Sequence, residues 1–140
     1  RFMPINSAKK AGHRFTIHTD SPSSPIGVLR EMRVAVTRKT RSGKYVLGHD
    51  EAITVDDAIK AVTINAAWQI FEEDTRGSLE VGKLADFTVL SKNLKNIPPE
   101  KWKSVEIVGT YLAGEPAVNQ GWSWRKINLM IQTVWGMILD

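Results

Sequence analysis

Asp20 is the residue best placed to do chemistry. It closes the run Arg14-Phe15-Thr16-Ile17-His18-Thr19-Asp20, and Ser21-Pro22-Ser23-Ser24-Pro25 follows as a loop by composition. Phe15 and Ile17 alternate with Thr16, His18 and Asp20. As a strand, the run puts apolar groups on one face and polar groups on the other. In parallel α/β architectures reactive groups gather where strands end. A carboxylate there can ligate a divalent cation, or take a proton from a cation-bound water. Spacing alone equally allows a bland role, in which Asp20 caps a turn or the next helix. His18 shares the polar face, as a ligand or, more commonly for a lone strand histidine, as a packed and hydrogen-bonded residue.

The other candidates are weaker. His13 and His49 lie in predicted loops and form no ligand spacing. No H-x-H, H-E-x-x-H or Gly-rich phosphate loop is present. Ser21, Ser23 and Ser24 have no triad context. Asp56 and Asp57 read as helix-start charges, and Asp86 as a turn or backbone hydrogen-bonding residue.

These residues need elements to hold them. Ile5 to Ala11 reads as a short helix ended by Gly12. Ser24-Pro25 reads as a helix start, with Ser as cap and Pro first, followed by Ile26, Leu29, Met32 and Val36 at helical spacing. That helix fades near Thr40 to Gly43, and residues 42–51 form a loop. Thr54-Val55-Asp56-Asp57 has the form of a capping box, opening a helix through Ala58, Ile59, Val62, Ala66 and Ile70. After Gly77 the pattern changes. Ala85 to Leu90 and Val105 to Leu112 read as strands, Ile97-Pro98-Pro99 as a loop, and Gly114-Glu115-Pro116 as a turn.

Composition narrows the class. The chain has 140 residues, 42% hydrophobic and 24% charged, which allows one modest core. A complete (β/α)8 barrel takes about 250 residues, more than this chain holds. There is no cysteine, so disulfides and thiolate metal sites are excluded; a reducing, cytoplasmic setting is the expectation. No apolar run reaches the roughly 18 residues of a membrane span, and no membrane role is expected. The net charge is +4, with six basic residues between Arg30 and Lys44: Arg30, Arg33, Arg38, Lys39, Arg41 and Lys44. Without aromatic interleaving or a binding motif these read as a solvated helix end, and no nucleic-acid partner is expected. Residues 119–140 carry Trp122, Trp124 and Trp135 around the polar run Arg125-Lys126-Ile127-Asn128. A docking helix or sequence foreign to the rest is favoured there over an interfacial membrane helix.

Three stretches together resemble the end of the amidohydrolase superfamily, in the branch called amidohydrolase family 3, which includes N-substituted formamide deformylase-like proteins. The first is Phe15-Thr16-Ile17-His18-Thr19-Asp20-Ser21-Pro22, similar to the family's eighth barrel strand with its terminal Asp. The second is Ala61-Val62-Thr63-Ile64-Asn65-Ala66-Ala67-Trp68, with Phe71-Glu72-Glu73-Asp74 behind it. The third, and most specific, runs from Gly77-Ser78-Leu79 through Gly82-Lys83-Leu84-Ala85-Asp86 to Phe87-Thr88-Val89-Leu90, a G-x-L-x-x-G-K-x-A-D-[FL]-x-V-L pattern. The resemblance covers roughly residues 1–118 and leaves the Trp-rich tail unplaced.

The resemblance implies an α/β fragment. Residues 1–78 would be the last strand and helices of a metal-dependent (β/α)8 barrel, the TIM-barrel type. Residues 79–118 would be the C-terminal strands of its small β-sandwich, and 119–140 a tail of unknown role. The implied reaction is hydrolysis of a non-peptide carbon–nitrogen bond in a small-molecule amide, by a water activated on one or two divalent cations, commonly zinc. Asp20 matches the strand-eight position that binds metal or water and shuttles the proton. The family's other ligands would lie upstream. One carboxylate does not hold a catalytic zinc that needs three protein ligands. The isolated chain is therefore expected to hold no metal and to be inactive, as the C-terminal part of a longer hydrolase. An unpaired strand at 14–20 is expected to pair with another copy or with the missing N-terminal part. The alternative is a non-catalytic binding or regulatory domain on the same scaffold.

Overall fold

The capping box at Thr54 forms as its spacing dictates. The Thr54 hydroxyl accepts from the Asp57 amide (3.1 Å), and the Asp57 carboxylate accepts from the Thr54 amide (3.3 Å). Two orphan donors are satisfied at once, which starts a helix without tertiary help. A computed structural model of the chain describes residues 3–117. The expectation for residues 119–140 falls outside the described residues.

Four α-helices come first: α1 Ile5–Lys10, α2 Val28–Thr37, α3 Val55–Val62 and α4 Ile64–Gln69. A three-stranded antiparallel sheet follows, in the order β1 Phe87–Leu90, β2 Ile107–Leu112, β3 Glu115–Pro116. Phe87 pairs with Tyr111, and their rings stack with centroids 4.6 Å apart. The sequence reading placed the turn at Gly114-Glu115-Pro116; it is tighter, at Ala113-Gly114, so that Glu115 and Pro116 belong to a strand.

The expected helix through residues 54–70 is two helices. The chain breaks at Thr63, with φ −125° and ψ −98°. Its hydroxyl donates to the Ile59 carbonyl (2.7 Å), a local bond that competes with continuation of the helix. The expected start of α2 at Ser24-Pro25 is also corrected. Gly27 is the residue before the first turn, because the Ser24 hydroxyl donates to the Thr19 carbonyl (2.8 Å) and does not cap. The end lies at Thr37, closed by Arg38 in the left-handed region with its N–H on the Val34 carbonyl (2.8 Å).

One apolar cluster takes residues from both sides of position 78. Met32 and Ala35 of α2, Ile53 and Ala58 meet Leu94, Trp102 and Val105. Trp102, 2% exposed, sits on a 3-10 helix at Pro99–Ser104, which begins at the last residue of the expected Ile97-Pro98-Pro99 loop, and donates its indole N–H to the Leu94 carbonyl (3.3 Å). Burial of an indole contributes on the order of 4–6 kcal/mol by area. Just before Ile97-Pro98-Pro99, Leu94–Asn96 is a 3-10 helix as well.

The largest departure is at residues 14–20. No strand forms there, and no other strand among the described residues runs alongside. A strand is a ladder, and without a neighbour its N–H and C=O groups have nothing to pair with. The expected apolar face is nevertheless realised: Phe15 and Ile17 pack against the core cluster, while His18 and Asp20 are exposed. Among the described residues no helix is long and apolar enough to cross a membrane.

Candidate functional site

Asp20 sits in the left-handed region at φ 54°, which Asp tolerates better than most residues. Its backbone is fully engaged. The N–H donates to His18 Nδ1 (3.1 Å), so the neutral imidazole carries its proton on Nε2. The carbonyl accepts from the Ser23 amide (2.9 Å) and from the Ser23 hydroxyl. The Ser21–Pro22 peptide that follows is cis. The Arg30 guanidinium donates to Ser24 Oγ (3.4 Å) and to the Pro25 carbonyl, tying this loop to α2. The Asp20 carboxylate itself is exposed and makes no hydrogen bond or ion pair with the described residues. It is held by its backbone and left open at its oxygens.

This arrangement does not complete a cation site. Among the described residues no three His, Cys, Asp or Glu side chains come together to hold a metal ion. Asp20 offers its carboxylate oxygens, but His18, with Nδ1 occupied by the Asp20 N–H and its proton on Nε2, presents no free lone pair to a cation in this arrangement. His13 and His49 are exposed and stand apart from this pair in the chain.

The other titratable residues are structural. Asp57 closes the capping box and pairs with Lys9 (2.6 Å). Burial opposes its ionisation, but the Lys9 and Thr54 hydrogen bonds outweigh that and hold its carboxyl below the usual carboxylate range. Asp56 pairs with Lys95. Of the basic residues between Arg30 and Lys44, Arg33 and Arg38 are buried, at 9% and 7% exposure, and Lys39 pairs with Glu100 (2.8 Å). Arg38 Nε donates to the Leu47 carbonyl (3.1 Å). The expected solvated run is thus divided: two of its six cations are buried, whereas Arg41 and Lys44 are exposed.

The Gly77-to-Asp86 motif is architectural. Lys83 Nζ donates to the Glu73 carbonyl (2.6 Å) and Ser78 Oγ (2.8 Å), and so closes the loop onto the end of the helical layer. Asp86 Oδ1 accepts the Ala113 amide (2.8 Å), which fixes the turn between β2 and β3, as a backbone-bonding role for Asp86 requires. Its other oxygen lies 3.8 Å from Arg76. The motif therefore joins the helices to the sheet.

Asn65 and Trp68, named only as members of the second family-like stretch, and Gln69, which follows it, touch the run leading to Asp20. Asn65 Nδ2 donates to the Phe15 carbonyl (3.0 Å), Gln69 Oε1 accepts from the Thr16 hydroxyl (2.8 Å), and the Arg14 guanidinium lies 5.2 Å from the Trp68 ring centroid. Their i, i+3, i+4 spacing was the available signal.

With this geometry in hand, comparison with known proteins is decisive at the level of family. A family model described as the amidohydrolase family matches residues 2–118. The chain belongs to the amidohydrolase family. It is 31% identical over 114 residues to the N-substituted formamide deformylase of Arthrobacter pascens, covering 81% of this chain and 21% of that protein. It is 36% identical over 122 residues to an imidazolonepropionase of Streptococcus gordonii, covering 86% of this chain and 36% of that protein. The chain thus spans about a fifth to a third of the length of these relatives. A solved amidohydrolase from Thermotoga maritima MSB8 superimposes with a TM-score of 0.60 at 22% identity, over 81% of this chain and 25% of that one. The mixed helices and strands are accordingly part of an amidohydrolase fold.

Proposed function

We propose that this chain is the C-terminal portion of a metal-dependent hydrolase that cleaves non-peptide carbon–nitrogen bonds in small-molecule amides. In this reading residues 1–78 belong to the barrel, with 14–20 as its last strand once neighbours are present. Residues 79–118 belong to the accompanying β-sandwich. Asp20 is the residue that works at the reaction centre.

The observation that carries the reading is the state of Asp20. Its backbone is bonded on both sides, while its carboxylate is exposed and uncommitted among the described residues. A fixed, open carboxylate suits a group that takes up a proton or gives an oxygen to a cation. The amidohydrolase family generally works with divalent metals, and zinc is the cation we favour. When bound, such a cation supplies an acidified water. The described residues provide at most one carboxylate and one imidazole for it, short of the three ligands a catalytic zinc takes. The remaining ligands would come from a longer polypeptide, and the chain by itself is inactive. Its partner is that polypeptide or, failing it, a second copy.

The test is hydrolysis of N-substituted formamides followed by formate release, chosen because a relative is named for that substrate class. The 140-residue chain with zinc should show no turnover. The chain fused behind the upstream part of the Arthrobacter pascens deformylase should show metal-dependent turnover that Asp20→Asn abolishes. Turnover by the chain alone, or turnover of the fusion that survives Asp20→Asn, refutes the proposal.

A further inference from the structure

The run that delivers Asp20 has no strand ladder among the described residues, and side chains of α4 contact it there. Three side chains of α4 meet three successive residues of that run. Trp68 faces Arg14 at 5.2 Å, Asn65 bonds Phe15 at 3.0 Å, and Gln69 bonds Thr16 at 2.8 Å. Positions 65, 68 and 69 lie on one helical face, so the three contacts act as a single patch.

The chemistry of each contact is directional. A carbonyl oxygen only accepts, so the Phe15 contact requires the amide nitrogen of Asn65 to point at it. This bond is part-buried, and an unmatched carbonyl there would be costly. Thr16 can donate or accept. Its bond to Gln69 therefore holds with any acceptor at position 69. Phe15 and Ile17 add apolar contact with the core on the same stretch. Beyond Asp20, the bonds from Ser23 and Ser24 and the Arg30 tie to the loop hold the other side.

We propose that Asn65 and Gln69 are positioning residues for Asp20, with Trp68 holding Arg14 beside them through its ring face. The face of α4 sets the register of residues 14–16, and the serine loop closes the far end. Together they hold the Asp20 backbone from two sides. The proposal rests on the reading of Asp20 given above, since a position is worth holding only if the carboxylate is used. It adds that the second of the three family-like stretches serves the first.

The full 140-residue chain tests this by 15N relaxation. Residues 14–20 should show order parameters near the rigid value of about 0.85. Asn65→Asp keeps the shape and loses the donor, and should drop them below about 0.6 while α2 and α3 stay unchanged. Gln69→Glu keeps the acceptor and should leave them high, whereas Gln69→Leu should lower them. In the deformylase fusion, Asn65→Asp should lower kcat by about 10- to 100-fold at unchanged KM. Unchanged order in Asn65→Asp, equal behaviour of Gln69→Glu and Gln69→Leu, general unfolding, or an unaltered kcat overturns the proposal. Survival of fusion turnover in Asp20→Asn would instead remove the reading of Asp20 and leave the α4 contacts standing, so the two failures are distinguishable.

Discussion

Gly77→Ala should cost this chain far more than Gly82→Ala, although both glycines open halves of the same motif and both are left-handed. Gly77 has φ +89°, and a Cβ there would lie 2.7 Å from Ala67 Cβ, 2.9 Å from Ile64 Cα and 3.2 Å from the Thr63 carbonyl oxygen. Two of those atoms are backbone at the α3–α4 junction and cannot rotate aside. Gly82 has φ +95° and nothing within 4 Å of the same added atom. The left-handed conformation costs an L-residue about 1–2 kcal/mol in either place. Overpacking adds about 1–3 kcal/mol at Gly77 alone. The gain from a stiffer unfolded chain is similar for both and cancels. Expected losses are therefore about 2–5 kcal/mol for Gly77→Ala and about 1–2 kcal/mol for Gly82→Ala. Urea unfolding followed by far-UV circular dichroism reads the difference. With a slope of about 1–3 kcal/mol per molar, the two midpoints should separate by about 1 M at unchanged slope. Coincident midpoints would refute the idea that close approach to the helix junction, beyond the backbone angle, demands glycine at position 77.

Asp57 carries a pH dependence of defined sign. Burial resists its ionisation, yet the bonds from Lys9 and Thr54 prevail and its folded pKa lies below the unfolded one. Its contribution is complete above the unfolded value of about 3.9 and is lost as the pH falls through the folded value. Lys9→Met should raise the Asp57 pKa in a carboxyl NMR titration and move acid unfolding to higher pH; an unmoved titration would refute the pairing. Association of the isolated chain is also expected, because Phe71, Val81, Ile107 and Val108 are exposed and residues 14–20 lack strand neighbours among the described residues. Light scattering should give a mass above 15.7 kDa, and a clean monomer with rapid amide exchange at 14–20 would count against it.

Features set by neighbours along the chain were legible from the residues alone. The Thr54–Asp57 capping box spans three residues and formed as read. The alternation placed Phe15 and Ile17, which pack on the core, apart from the exposed His18 and Asp20, although Thr16 is partly buried like its neighbours, and the Gly77-to-Leu90 pattern identified the family. Ser24-Pro25 had an equally good local signature and failed, because the Thr19 carbonyl took the Ser24 hydroxyl.

Tertiary structure decided what depends on distant partners. Trp102 became part of the core only because α2 packs over the 3-10 helix that carries it. Asn65 met Phe15 across 50 positions of chain, and Asp86 met Ala113 across 27. The run at 14–20 remained without strand structure, since a ladder belongs to two strands and not to one. Residue types and short spacings thus specified caps, faces and family. Long-range packing determined which side chains meet the run leading to Asp20, because such contacts form only after the chain has folded back on itself.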